Sequence, residues 1–216
     1  ARDRLVVSKG HAGPAVYATL AEKGFIEEKE LLTLNKIHTN LPSHCDMNKV
    51  KGVDMTTGSL GQGISCAVGI ALGSKIKKDN AHIYCIIGDG EAQEGEVWEA
   101  LEFASNKCLD NLIVFLDYNK CQIDGTIDKV NSVSNFKERF EALNLDTYSI
   151  DGNDVDEISK TIDEAQKVKG KAHAIILNTV KGKGVKYIED MGFKNHSIPI
   201  SYEDLEKAIE ELERGE

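Results

Sequence analysis

The amino-acid sequence predicts an α/β fold: a doubly wound, mostly parallel sheet with helices on both faces. Three observations carry that expectation. Short apolar runs of strand length alternate with longer amphipathic segments of helical period, the pattern of repeated βαβ units. Two of those runs, 82–87 and 112–116, are apolar throughout, as strands covered on both faces must be. Each leads into a polar, turn-forming group, Gly88-Asp89-Gly90 directly after the first and Asn119 three residues after the second. In an open parallel sheet those carboxyl ends share one edge, where ligands bind.

The elements follow in order. Ser8-Lys9-Gly10-His11 leads into a helix that starts near Pro14 and stops at Gly24. The spacing of Leu31, Leu34 and Ile37 predicts a second helix over 27–37. Residues 38–57 lose all periodicity and read as a loop that contains His44. Gly58-Ser59-Leu60-Gly61-Gln62-Gly63 then opens a helix over 64–77 whose small residues allow close approach to a neighbour. After the strand at 82–87 comes a helix over 94–108 with Trp98, Leu101 and Ala104 inward, then the strand at 112–116. Asp124-Gly125 reads as a tight turn. A helix over 135–142, a strand over 147–150, a helix over 155–168 carrying Ile158, Ile162 and Ala165, and a strand over 172–180 complete the alternation. Residues 181–200 read as a Gly-containing loop, and 202–212 as a charged terminal helix. No repeat, linker or low-complexity segment divides the chain, so residues 1–216 are expected to form one domain.

Composition narrows the function. With 26 Lys and Arg against 36 Asp and Glu, the net charge is −10. That balance argues against a nucleic-acid or anionic-membrane surface and for a soluble, cytoplasmic protein. No apolar run reaches the roughly 18 residues that span a bilayer. The five cysteines, Cys45, Cys66, Cys85, Cys108 and Cys121, are odd in number and form no Cys-x-x-Cys pair. They read as reduced side chains, not as a zinc site.

Asp89 and Asn119 are hard oxygen donors of the kind Mg²⁺ accepts. Two such donors and one backbone carbonyl from the Asn119 loop are too few for an ion that wants six oxygens, so a phosphate-bearing ligand is expected to complete the shell. Gly-Asp-Gly alone reads more simply as a turn; Asn119 at the next strand end favours the metal. Single histidines are more often structural than catalytic, and His38, His82 and His173 are left in that class. Residues 181–183 also read as a solvated basic turn, Glu94 as a first-turn helix residue favoured by the helix dipole, and Trp98 as core.

The segment GDGEAQEGEVWEALEFASNKCLDNLIVFLDYN resembles the thiamin diphosphate motif of transketolases. SKGHAGPAVYATLAEKG, TTGSLGQG and NTVKGKG extend the resemblance over nearly the whole chain, in the family's order. The resemblance implies the fold's diphosphate-binding half, thiamin diphosphate as cofactor, and Mg²⁺ with Ca²⁺ or Mn²⁺ as possible substitutes. It implies that Asp89, Asn119 and the main-chain oxygen of Cys121 hold the metal, that Gly88 and Gly90 lie beside the diphosphate, and that Gly58, Ser59 and Leu60 line the cofactor. Lys9, His11, Lys181 and His196 match residues near the diphosphate and the reacting carbon, His44 one that contacts the donor sugar, and Glu94 a carboxylate at the subunit interface. His11, His44, His196 and Glu94 form the implied catalytic set. Diphosphate in an acidic protein needs a local positive field, which Lys9 and Lys181 supply. Imidazoles near a ketose can hydrogen-bond hydroxyls and move protons near neutral pH.

Two departures shape the expected function. The family has His-Gly where this chain has His196-Ser197, and its Ser-Gly-His-Pro-Gly-Gly stretch, whose His takes part in substrate binding, is not in this sequence. The pyrimidine half of the fold, with its activating glutamate, is also not in this sequence. The expectation is the N-terminal subunit of a split transketolase without its N-terminal segment, acting on sugar phosphates of the pentose phosphate pathway. It would be active only with a pyrimidine-half partner, in a heterotetramer. Deoxyxylulose-phosphate synthase, the α subunit of a 2-oxo acid dehydrogenase and a non-catalytic scaffold are the alternatives. Gln93-Glu94-Gly95 and Trp98-Glu99-Ala100 are more similar to transketolase than to either enzyme.

Overall fold

A computed structural model describes residues 1–133 and 135–214. Five parallel strands make the sheet: β1 (Arg4–Val7), β2 (Ile83–Gly88), β3 (Leu112–Tyr118), β6 (Asp146–Asp151) and β7 (His173–Asn178), in the spatial order β1-β2-β3-β7-β6. A two-stranded hairpin, β4 (Cys121–Gln122) with β5 (Gly125–Thr126), lies outside it and turns at Ile123-Asp124, one residue before the expected Asp124-Gly125, because Gly125 pairs with Gln122. The helices are α1 (Gly13–Glu22), α2 (Gln62–Lys77), α3 (Gly95–Asn106), α4 (Ile127–Val130), α5 (Phe136–Ala142), α6 (Val155–Ala165), α7 (Lys186–Met191) and α8 (Tyr202–Arg214). The predicted doubly wound α/β sheet is the observed one. None of the helices among the described residues is long and apolar enough to cross a membrane.

The two faces of the sheet are packed unequally. One is sealed by α2, α3 and α5: Ile83, Cys85 and Ile87 of β2 are fully buried against Ala67, Ala71, Leu101 and Phe140. Small residues allow this closeness as expected. A Cβ on Gly63 of α2 would stand 2.6 Å from the Ser8 Cα. The other face is covered by α6 over β3, β7 and β6, where Ile113, Phe115 and Ile175 meet Ile158, Ile162 and Ala165. A third cluster, Tyr17, Leu20, Leu41, Cys45 and Val50, packs α1 onto the long loop before α2, and the Tyr17 hydroxyl donates to the Pro42 carbonyl at 2.6 Å.

Three elements differ from expectation. Strand β1 escapes the apolar-run criterion because it has only four residues and opens with Arg4. The segment expected as a helix over 27–37 is a 3₁₀ turn, Glu28–Thr33, with Glu27 and Glu30 forming a capping box. Leu34 leaves helical geometry (φ −46°, ψ 127°), Asn35 is left-handed (φ 59°), and Ile37 is exposed. Helix α7 and a 3₁₀ turn, Gly192–His196, lie within the segment expected to be loop.

Candidate active site

Parallel strands bring their carboxyl ends to one edge, and four neighbours deliver the polar residues there. The loop after β1 carries Lys9 and His11, that after β2 Asp89 and Gly90, that after β3 Asn119 and Cys121, and that after β7 Lys181. The 3₁₀ turn before α8 adds His196. Together they line a cleft of about 270 Å³, with Leu60, Gly88 and the exposed Glu94 on its wall. A larger cavity of about 550 Å³, mostly apolar, adjoins it against α1 and shares Lys9, Asn119 and Lys181. The ionisable groups converge in the smaller cleft, so the chemistry is placed there.

Asp89 is buried, yet among the described residues no cation bonds to it. Its Oδ1 accepts from the Gly90 N–H at 2.8 Å and its Oδ2 from the Lys120 N–H at 2.6 Å. Burial pushes its pKa up to about 6 against those two bonds, and the Asp117 charge adds to the rise. Asn119 Oδ1 accepts from the Cys121 N–H at 3.0 Å. Lys181 is held below the usual lysine range by burial and by Lys9, with Asp117 and Asp89 opposing. A Cβ on Gly90 would crowd the Gln122 Cβ at 3.0 Å, and the glycine leaves its backbone bare on the cleft wall.

The histidines form a row. His196 Nε2 and His11 Nδ1 are 2.8 Å apart, one donating to the other, and His11 stacks on His44 with ring centroids 5.2 Å apart. Burial, then His44 and the two lysines, lower the His11 pKa; burial, Lys181 and His11 lower that of His196. Both rings are thereby favoured neutral, able to accept a proton or donate one. His44 also packs on Gly58, where a Cβ would lie 3.0 Å from its Nδ1. Ser59 is exposed and its side chain makes no hydrogen bond among the described residues.

Two acidic residues missed by sequence reasoning hold these loops. Glu91 is buried and accepts from the Ser8 hydroxyl, from the Gly61 N–H at 2.9 Å and from the Gly88 N–H at 3.1 Å, pinning the Gly-Asp-Gly turn to the Leu60 segment. Asp117, the one acidic residue of β3, accepts from Lys9, Thr179 and Asn119. Its pKa lies below the usual carboxylate range: burial would raise it, and Lys9 with the other donors outweighs burial. The signal was present, because alternation along an extended chain puts residues 117 and 119 on one side.

The donor set fits a metal-bound diphosphate. Asp89 and Asn119 supply hard oxygens, and Lys9 and Lys181 supply positive charge. The buried Gln122 Oε1 and His196 Nδ1 on the cleft wall have no partner among the described residues. No group of three His, Cys, Asp or Glu side chains among those residues could hold a metal alone. An ion here would draw its remaining oxygens from the ligand and water.

The family profile described as transketolase, thiamine diphosphate binding domain, matches residues 1–213. The chain belongs to the transketolase family. It is 48% identical over 213 residues to the 6-deoxy-6-sulfo-D-fructose transketolase subunit of Clostridium sp. (strain MSTE9), covering 99% of this chain and 77% of that protein. It is 36% identical over 211 residues to an apulose-4-phosphate transketolase subunit of Phocaeicola vulgatus, with 98% and 74% covered. The transketolase crystal structure from Campylobacter jejuni superposes with a TM-score of 0.91 at 35% identity, over 98% of this chain and 34% of that one. The chain thus spans about three quarters of the relatives named as subunits and a third of that solved transketolase.

Proposed function

We propose that this chain is the diphosphate-binding subunit of a two-polypeptide transketolase, which moves a two-carbon ketol unit from a ketose to an aldose phosphate. One observation carries the reading: four adjacent strand ends bring Asp89, Asn119, Lys9 and Lys181 into one cleft, beside a row of three histidines. On this reading Asp89, Asn119 and the Cys121 carbonyl hold Mg²⁺, for which Ca²⁺ or Mn²⁺ can substitute. Lys9 and Lys181 neutralise the diphosphate, Gly88 and Gly90 let it approach the backbone, and Gly58, Ser59 and Leu60 flank the cofactor body. Thiamin diphosphate, when bound, supplies the electron sink for cleaving the ketose carbon–carbon bond. His11 and His196, paired and favoured neutral, exchange a proton with substrate hydroxyls, and His44 orients the sugar. Glu94, exposed on the cleft rim, faces the partner that brings the pyrimidine half.

The relatives' names point to two kinds of donor tail, a sulfonate and a phosphate. A sulfonated ketose therefore joins the pentose phosphates as a candidate donor. A cofactor shared between halves predicts a heterodimer at least, and a heterotetramer if two such pairs associate; the acidic composition suits a cytoplasmic complex. The test is reconstitution. The chain alone should show no ketol transfer, and adding the pyrimidine-half subunit, thiamin diphosphate and Mg²⁺ should produce it with xylulose 5-phosphate or 6-deoxy-6-sulfofructose, not pyruvate, as donor. Turnover of pyruvate, or full activity from the chain alone, would overturn the assignment.

A further inference from the structure

Asp117, the penultimate residue of β3, lies opposite Gly88 and two residues before Asn119. Its carboxylate gathers side chains from three strand ends. Oδ1 accepts from the Thr179 hydroxyl after β7, and Oδ2 accepts from the Lys9 ammonium after β1 and from Asn119 Nδ2 at 3.2 Å. Its main-chain carbonyl accepts from the Asp89 N–H at 3.2 Å. Lys9, Asp89 and Asn119, one group from each of the loops after β1, β2 and β3, are therefore each one bond from Asp117.

Two consequences follow for a ligand. The Asn119 amide has an oxygen end and a nitrogen end, and its surroundings read them: Nδ2 faces the Asp117 carboxylate, while Oδ1 faces the Cys121 N–H at 3.0 Å. A flipped amide would set oxygen against carboxylate and N–H against N–H, so the orientation that offers Oδ1 to a metal is fixed. Lys9 has three N–H donors; Asp117 anchors the ammonium and leaves the others free for an anion. Asp117 also brings negative charge to a cleft that would take an anion. Charge alone then predicts that neutralising Asp117 tightens anion binding, whereas positioning predicts that it weakens it.

We propose that Asp117 is a positioning residue, which presents Asn119 oxygen-first to the metal and holds Lys9 at the diphosphate. The proposal rests on the thiamin diphosphate reading above. Its test is isothermal titration calorimetry of thiamin diphosphate into the reconstituted two-subunit complex over a range of Mg²⁺ concentrations, for wild type, Asp117→Asn and Asp117→Glu. The first variant removes the charge at constant shape, and the second keeps the charge but moves it by one methylene. Both should weaken cofactor affinity by about tenfold or more and raise the Mg²⁺ concentration for half-saturation, the size expected when a metal ligand loses its support. Equal or tighter binding by Asp117→Asn, or wild-type binding by Asp117→Glu, would overturn the proposal. So would lower stoichiometry at unchanged affinity, the mark of a role in folding alone. Failure of the wild-type complex to bind thiamin diphosphate would instead remove the functional reading, and this inference with it.

Discussion

Asp89 and Asp117 stand at neighbouring strand ends and are largely buried, Asp89 on the smaller cleft and Asp117 on the cavity that adjoins it, yet burial affects them in opposite ways. Asp117 meets a lysine, a hydroxyl and an amide and is held below the usual carboxylate range. Asp89 receives two main-chain N–H bonds, bonds to no cation among the described residues, and is pushed up to about 6. A buried carboxylate is costly unless a positive charge answers it. The fold answers Asp117 from within and leaves Asp89 to a cation from outside. On the proposed reading, the contrast assigns Asp89 to the metal and Asp117 to the scaffold.

Removing Asp89 should therefore have the largest effect. In the reconstituted complex, Asp89→Ala is expected to lower Mg²⁺-dependent retention of thiamin diphosphate by more than about 100-fold, above the loss typical of a supporting residue. Calorimetry with and without chelator measures it, and unchanged retention would reduce Asp89 to a turn residue. Next comes Lys181→Ala. A charge-assisted bond to an exposed ligand group is worth about 1.5 kcal/mol at the lower end of its range, so diphosphate affinity should drop at least about tenfold while the Mg²⁺ requirement stays close to wild type. A raised Mg²⁺ requirement in this variant would blur the division between metal side and cation side.

Half of this contrast was legible in the sequence. The inner strands β2 and β3 were readable because both of their faces are covered, which demands unbroken apolar runs; Gly88 and Asn119 then located the edge, and Asp89 with it. Asp117 was hidden because an acid ending an apolar run reads as solvent exposure, and Glu91 because it follows the Gly-Asp-Gly turn, ahead of the helix expected from residue 94, where a carboxylate reads as a solvated turn residue. What each does depends on donors from segments far along the chain, Ser8 and Gly61 for Glu91, Lys9 and Thr179 for Asp117. The 28–33 turn was misread for a related reason. Leu31 and Leu34 do pack, but against the Tyr17 cluster and not along a helix face, so the same spacing served a different geometry.

A third largely buried carboxylate, beside β1, extends the comparison to an ion pair with exposed arginines and has the smallest expected effect. Asp54 accepts from the Arg2 guanidinium, from Arg4 at 3.1 Å and from the Leu5 N–H at 3.0 Å, tying β1 to the loop before α2. Burial raises its pKa, and the Arg2, Leu5 and Arg4 bonds more than reverse that, so the folded value lies below the ordinary one. A depressed carboxylate stabilises the fold above its unfolded pKa of about 3.9 and loses that contribution as pH falls through the folded value. Both arginines are largely exposed, so solvent screening keeps the pair's contribution small. Asp54→Asn should cost about 1 kcal/mol at pH 7, and the gap to wild type should close as pH falls below about 4. Urea unfolding at both pH values measures it. A gap that persists in acid would mean that Asp54 acts through the Leu5 N–H bond and not through its charge, and that an internal cation is not what separates Asp54 and Asp117 from Asp89.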